Sequence, residues 1–182
     1  IGGSEAFCFA LQATCNPGDE VLIPEPFYPN YVGHSTMNGN RVVPITTRIE
    51  DGFHLPPMAE IEKLITPRTR AILFSNPANP TGVGYTRDEV AGLAKLALKH
   101  NLFIISDEPY RELMYDGEAT SIMSFPEVAQ NAILVDSISK RHGRQILFLE
   151  ASAVLNRGER VGLVGPNGAG KTTIFRMIVG EE

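Results

Sequence analysis

The chain has 182 residues and a formal net charge of −5, from 16 Lys and Arg against 21 Asp and Glu, so nucleic acid and anionic membrane have no broad electrostatic claim on it. That length buries one good core, or one domain and a fragment of another. No apolar run reaches the roughly eighteen residues of a membrane span, and the first residues lack the basic flank of a signal peptide, which points to the cytoplasm.

The chain opens at Ile1 without an initiator Met and is expected to be cut at its front. A helix is predicted from Gly2-Gly3-Ser4 to about Cys15, where Asn16-Pro17-Gly18 stops it. Cys8 and Cys15 fall on one side of that helix, two turns apart, where no disulfide can join them, and both read as reduced core thiols. Val21-Leu22-Ile23 suits a buried parallel strand, as do Ala71-Ile72-Leu73-Phe74, Leu102-Phe103-Ile104-Ile105 and Ala132-Ile133-Leu134-Val135. Between them, Thr86 and Glu89 have capping-box spacing and lead a helix with Val90, Leu93, Ala94 and Ala97 on one face. His34, His54 and His100 have no ligand spacing and read as ordinary surface or core residues. Strands alternating with helices predict an α/β fold, a mainly parallel sheet covered by helices.

In such sheets ligands gather at the carboxyl ends of the strands, and the polar residues concentrate there. Strand 71–75 runs into Asn76-Pro77-Ala78-Asn79-Pro80-Thr81-Gly82, and strand 102–105 into Ser106-Asp107-Glu108-Pro109-Tyr110. Strand 132–135 runs into Asp136-Ser137-Ile138-Ser139-Lys140. The predicted helix at Gly2-Gly3-Ser4-Glu5 adds free backbone N–H groups, a seat for phosphate. Each piece alone has a plain structural reading: an N-cap, a rigid Pro and Gly turn, a capping Asp, a surface Lys. Their joint occurrence, in this order, points to one site.

With those motifs, residues 1 to about 141 resemble the central part of a class I/II aminotransferase, a fold-type-I pyridoxal-phosphate enzyme related to aspartate aminotransferase. The resemblance implies that Ser4 and Glu5 receive the cofactor phosphate and that Tyr28, in Pro26-Phe27-Tyr28, stacks on the pyridine ring. It implies that Asn79 and Tyr110 bond the ring hydroxyl oxygen, that Asp107 pairs with the pyridine nitrogen and that Ser137 touches the phosphate. Lys140 is then the catalytic residue, an amine nucleophile toward the cofactor aldehyde and a proton shuttle. The implied substrates are an amino acid and a 2-oxo acid, and the implied assembly is a homodimer.

After Lys140 the pattern changes. The Gly-x-Arg with which the family usually clamps the phosphate does not follow, and cofactor affinity is expected to be roughly ten- to a hundredfold lower for want of that charge-assisted contact. Instead Gly158 to Thr173 satisfies the phosphate-loop pattern G-x-x-x-x-G-K-[ST], with an apolar strand before it and a helical pattern of Ile174, Phe175, Met177 and Ile178 after it. The wording resembles an ATP-binding-cassette (ABC transporter-type) ATPase. It implies that Gly165, Asn167, Gly168, Ala169, Gly170, Lys171, Thr172 and Thr173 bind ATP, with Thr172 as a ligand of Mg²⁺.

The expected organisation is therefore a partial aminotransferase cofactor domain, 1–142, joined to a partial ABC segment, 143–182, that forms a short strand, phosphate loop and helix. Its strand, about 159–164, either docks on an edge of the first sheet or leaves the tail free. Three readings stay open: a pyridoxal-phosphate transaminase of low activity, an ATP-binding module, and an inactive chimera.

Overall fold

The computed structural model describes residues 3–114, 117, 119–142 and 145–153, and from residue 137 onward only their backbone is described. Six strands form one sheet in the order β2-β1-β3-β4-β5-β6: β1 (Glu20–Glu25), β2 (Arg41–Thr46), β3 (Thr69–Ser75), β4 (Phe103–Asp107), β5 (Ala132–His142) and β6 (Gln145–Ala153). Pairing is parallel from β2 through β5, and β6 alone runs antiparallel. The predicted α/β class and mainly parallel sheet are what the structure has.

Both sheet faces are covered because the strand side chains alternate between two apolar layers. Val21, Ile23, Ala71, Leu73 and Ile105 point to one layer and pack with Phe7 and Leu11 of α1 (Gly3–Thr14). Leu22, Ile72, Phe74 and Ile104 point to the other and pack with Val90, Leu93 and Ala97 of a long helix. Strands buried on both faces must be apolar at every position, which is why the central ones are legible as continuous apolar runs.

The remaining helices are α2 (Asn30–Met37), the short α3 (Met58–Glu62) and that long helix, α4 (Arg87–Lys99). At the start of α4, Thr86 Oγ1 accepts from the Glu89 N–H at 3.2 Å, and Glu89 Oε2 accepts from the Thr86 N–H at 2.7 Å. The capping box is therefore real, and two orphan N–H groups of the helix end are satisfied reciprocally. The helix predicted up to about Cys15 ends at Thr14, with Cys15 buried just beyond it; both cysteines are free thiols.

Two features depart from the sequence reading. The strand expected at 132–135 pairs with β4 only as far as Val135, yet it continues to His142 because β6 takes up its backbone groups beyond Asp136. Ser137 and Lys140 consequently lie within a strand, opposite Ser152 and Phe148, rather than past its end. The strand expected near 159–164 and the phosphate loop lie outside the described residues.

Candidate active site

The crevice forms where the chain changes direction across the sheet. From β1 the chain first adds β2 on one side and then β3 on the other, so the ends of β1 and β3 have connections leaving in opposite directions. Pairing of β1 with β3 stops at Leu22 opposite Ile72, and the last residues of β1 pair with β2 alone. The two strands part there, which is the usual seat of a ligand in an open α/β sheet.

A cavity of about 350 Å³ fills that crevice. Its walls are the N-terminal turn of α1 (Gly3, Ser4 and Phe7), the segment after β1 (Tyr28, Tyr31 and His34), Asn79 after β3, and Asp107, Pro109, Tyr110 and Leu113 after β4. Five expected residues thus meet in one place: Ser4, Tyr28, Asn79, Asp107 and Tyr110. Glu5 follows Ser4 in the first turn of α1 but is not among the lining residues; its backbone N–H still belongs to the helix terminus. The side chains of Ser137 and Lys140, and all of Gly165, Asn167, Gly168, Ala169, Gly170, Lys171, Thr172 and Thr173, lie outside the described residues.

Asn76 and Asn79 divide the work of the turn after β3. Asn76 is wholly buried: its Nδ2 donates to the Thr120 carbonyl at 2.8 Å, and its Oδ1 accepts from the Tyr85 N–H at 2.9 Å. It clamps the loop, while Asn79, half-buried, faces the cavity. Gly82 closes that turn at φ +75°, in the left-handed region, and donates to the Ala78 carbonyl at 2.7 Å.

The electrostatic centre is Asp107. Burial pushes its carboxyl up to about 6, the Tyr31 hydrogen bond works against that, and the charges of Asp136 and Glu108 add to it. The Tyr31 hydroxyl donates to Asp107 Oδ2 at 2.5 Å, and burial followed by the Asp107 charge holds that phenol well above its ordinary range. Among the described residues the other oxygen, Oδ1, has no hydrogen-bond donor. Tyr28 meets the Tyr31 ring edge to face at 5.7 Å and 88°, and its hydroxyl accepts from Asn30 Nδ2 at 2.7 Å.

Tyr31 and His34 are the polar wall residues that the sequence reading missed, beside the apolar Phe7 and Leu113. Tyr31 was one aromatic among several in Pro26-Phe27-Tyr28-Pro29-Asn30-Tyr31, and its partner is 76 residues away. His34, read as an ordinary residue, lines the cavity and has Nδ1 2.9 Å from the Cys8 sulfur. The one available signal is their spacing of three on α2, which puts both on the face toward α1.

A helix N-terminus, a part-buried carboxylate and an aromatic wall at the carboxyl ends of parallel strands are the parts expected of the family that the motifs resemble. The family model "Aminotransferase class I and II" matches residues 1–145. The chain belongs to that family. It is similar to the arginine–pyruvate transaminase of Pseudomonas aeruginosa, with 41% identity over 143 residues that make up 78% of this chain and 36% of that protein. It is 37% identical over 141 residues to the aspartate aminotransferase of Thermotoga maritima, covering 78% of this chain and 37% of that one. Among solved structures, the Thermus thermophilus aspartate aminotransferase with maleate superposes with a TM-score of 0.71 at 34% identity, over 75% of this chain and 35% of that one. The aromatic aminotransferase of Pyrococcus horikoshii gives 0.72 at 34% identity, over 75% and 36%. The chain thus spans little more than a third of the length of these relatives. The model "ABC transporter" matches residues 149–182, most of them outside the described residues.

Proposed function

We propose that this aminotransferase-family segment binds pyridoxal 5'-phosphate and takes part in amino-group transfer from an amino acid to a 2-oxo acid. The observation that carries the reading is Asp107, a part-buried carboxyl that lines the crevice with one oxygen held by Tyr31 and, among the described residues, no donor to the other. The residues present fit the cofactor. The cavity is of ligand size, the N–H groups at Gly3, Ser4 and Glu5 suit its phosphate, and a protonated ring nitrogen is the partner that a raised carboxyl lacks.

Pyridoxal phosphate, when bound, supplies an electron sink for the bonds at the substrate Cα. Asp107 keeps the ring nitrogen protonated, and Tyr31 keeps Asp107 ionised by stabilising the charged form. Asn79 and Tyr110 would hold the ring hydroxyl oxygen, Tyr28 would lie against the ring, and Ser137 would add a phosphate contact. Lys140 is the covalent attachment point and moves a proton at the substrate Cα. The reading includes pairing into a homodimer, checked by sedimentation. It is tested by borohydride reduction of the chain with cofactor: mass spectrometry should place the pyridoxyl group on Lys140. A label spread over exposed lysines such as Lys63 and Lys95 overturns it.

A second reading has its own observation, the match of residues 149–182 to the ABC transporter family. It assigns ATP with Mg²⁺ to Gly165, Asn167, Gly168, Ala169, Gly170, Lys171, Thr172 and Thr173, with Thr172 on the metal. The proposed division into a 1–142 and a 143–182 segment comes from the change of motif after Lys140; the two family matches end at 145 and begin at 149. Titration with Mg-ATP separates the readings: tight binding lost in Lys171→Ala favours the second, and binding indifferent to that substitution removes it.

A further inference from the structure

We infer that Glu108 is a positioning residue for this site, acting through Tyr110; the inference rests on the cofactor reading above. Glu108 lines neither the crevice nor the neighbouring cavity under Asn79 and Tyr110. Its side chain is wholly buried. A carboxylate so placed is costly unless it is well bonded, and packing alone has no need of one.

Its partners explain its presence. Glu108 Oε1 accepts from the Ser106 hydroxyl at 2.7 Å and from the Ile122 N–H at 3.0 Å, and Oε2 lies 3.5 Å from Arg111 Nη1. Arg111 also reaches Asp136 on β5, with Nη2 3.6 Å from Oδ2. The Glu108 N–H itself donates to the Val135 carbonyl at 2.8 Å. These partners stand on both sides of Tyr110 in the chain: Ser106 precedes it, while Arg111 and Ile122 follow.

One buried carboxylate therefore fastens a segment whose apex, Pro109-Tyr110, forms the crevice wall. Tyr110 has no comparable hold of its own. Its side chain is 40% exposed, and among the described residues no hydrogen bond is made by its hydroxyl. Where the Tyr110 phenol points is then decided by the backbone that carries it, through the turn 111–113 in which the Leu113 N–H donates to the Tyr110 carbonyl at 2.8 Å. Loosening Glu108 frees that backbone while leaving Asn79 and Tyr31 in place.

The test uses Glu108→Ala, Glu108→Gln, Tyr110→Phe and the Ala/Phe double variant of the full chain. In the cofactor-free protein, Glu108→Ala should raise amide exchange across residues 110–114 by about ten- to a hundredfold, with the strands β1 and β3 unchanged. Glu108→Gln, which keeps an acceptor oxygen, should return much of the protection. With pyridoxal phosphate added, the pH midpoint of the bound-cofactor absorbance should move in Glu108→Ala as it does in Tyr110→Phe, and the double variant should move no further than Tyr110→Phe alone. Unchanged exchange overturns the inference, as do shifts that add fully in the double variant, since Glu108 would then act on the ring through its own charge. If Glu108→Ala fails to fold by circular dichroism, the same two readouts on Ser106→Ala, which removes a donor to Glu108 Oε1, and on its double variant with Tyr110→Phe decide. Absence of bound cofactor in the wild type refutes the cofactor reading, and the exchange arm then decides alone whether Glu108 fastens the segment.

Discussion

Replacing Tyr31 by Phe removes one hydroxyl and little else. The Phe ring keeps the packing against Phe7, whose centroid lies 5.1 Å away, and against Tyr28. What is lost is the 2.5 Å hydrogen bond to Asp107 Oδ2. The Asp107 carboxyl stands at about 6 against an ordinary 3.8, which corresponds to ~3 kcal/mol of cost for keeping it ionised in the fold. The folded carboxyl binds its proton more tightly than the unfolded one, so this group makes stability fall as pH rises from ~4 to ~6, and the full cost is present above that window. A hydrogen bond to an ionised acceptor contributes ~1.5–3 kcal/mol. Its removal should carry the Asp107 midpoint upward by roughly one to two pH units, to about 7–8. The variant should therefore be nearly as stable as wild type at pH 5 and less stable by ~1–2.5 kcal/mol at pH 8. Urea unfolding of the cofactor-free protein at both values measures this, with carboxyl NMR following Asp107 directly. An equal loss at both pH values, or an unmoved midpoint, would show that the hydroxyl does not stabilise the charged form.

Other substitutions probe the frame around the site. Thr86→Ala removes the reciprocal cap of α4 and should cost ~1 kcal/mol in urea unfolding, with no change in cofactor binding. Leu93→Ala opens a void in the layer beneath Phe74 and Ile104 and should cost ~2–5 kcal/mol by the same measurement. Glu20 is a buried carboxylate held below its usual range chiefly by the Thr66 hydroxyl, with Arg68 and Arg41 beside it and burial opposing. Its contribution is present above the unfolded pKa and is lost as pH falls through the folded one. Glu20→Gln should therefore lower the urea midpoint at pH 7, and the deficit should close by about pH 3.

The sequence made legible what burial dictates. β1, β3, β4 and the start of β5 are covered on both faces, so their side chains are apolar at nearly every position and betray them. β2 was missed because Arg41–Thr46 is an edge strand, largely open to solvent and carrying Pro44, and its apolar content is too thin to read. α2 was missed for a related reason: it follows Pro29, contains Gly33, Ser35 and Thr36, and buries only Tyr31 and Ser35. The extension of β5 could not be read at all, since it depends on pairing with β6 rather than on any local preference. Site residues follow the same division. Ser4, Asn79, Asp107 and Tyr110 stand at the ends of readable elements; Tyr31 stands on an unreadable one, and its role exists only through a contact across the sheet.

The crevice imposes a demand on its ligand that neither end imposes alone. At one end the N-terminal turn of α1 offers N–H groups and the positive pole of a helix, which favour an anion. At the other, Asp107 Oδ1 has no donor among the described residues, in a setting where Asp136 and Glu108 already make the charge costly, which favours a cation. Between them Tyr28 and Phe7 line the wall with aromatic surface. Inorganic phosphate satisfies the first end and leaves the second unrelieved, while a simple amine does the reverse. A flat ring with a phosphate at one side and a basic nitrogen at the other meets all three demands together. On the proposed reading, binding both ends at once would also fix the ring in the crevice, so the polarity that selects the ligand would be the same polarity that orients it.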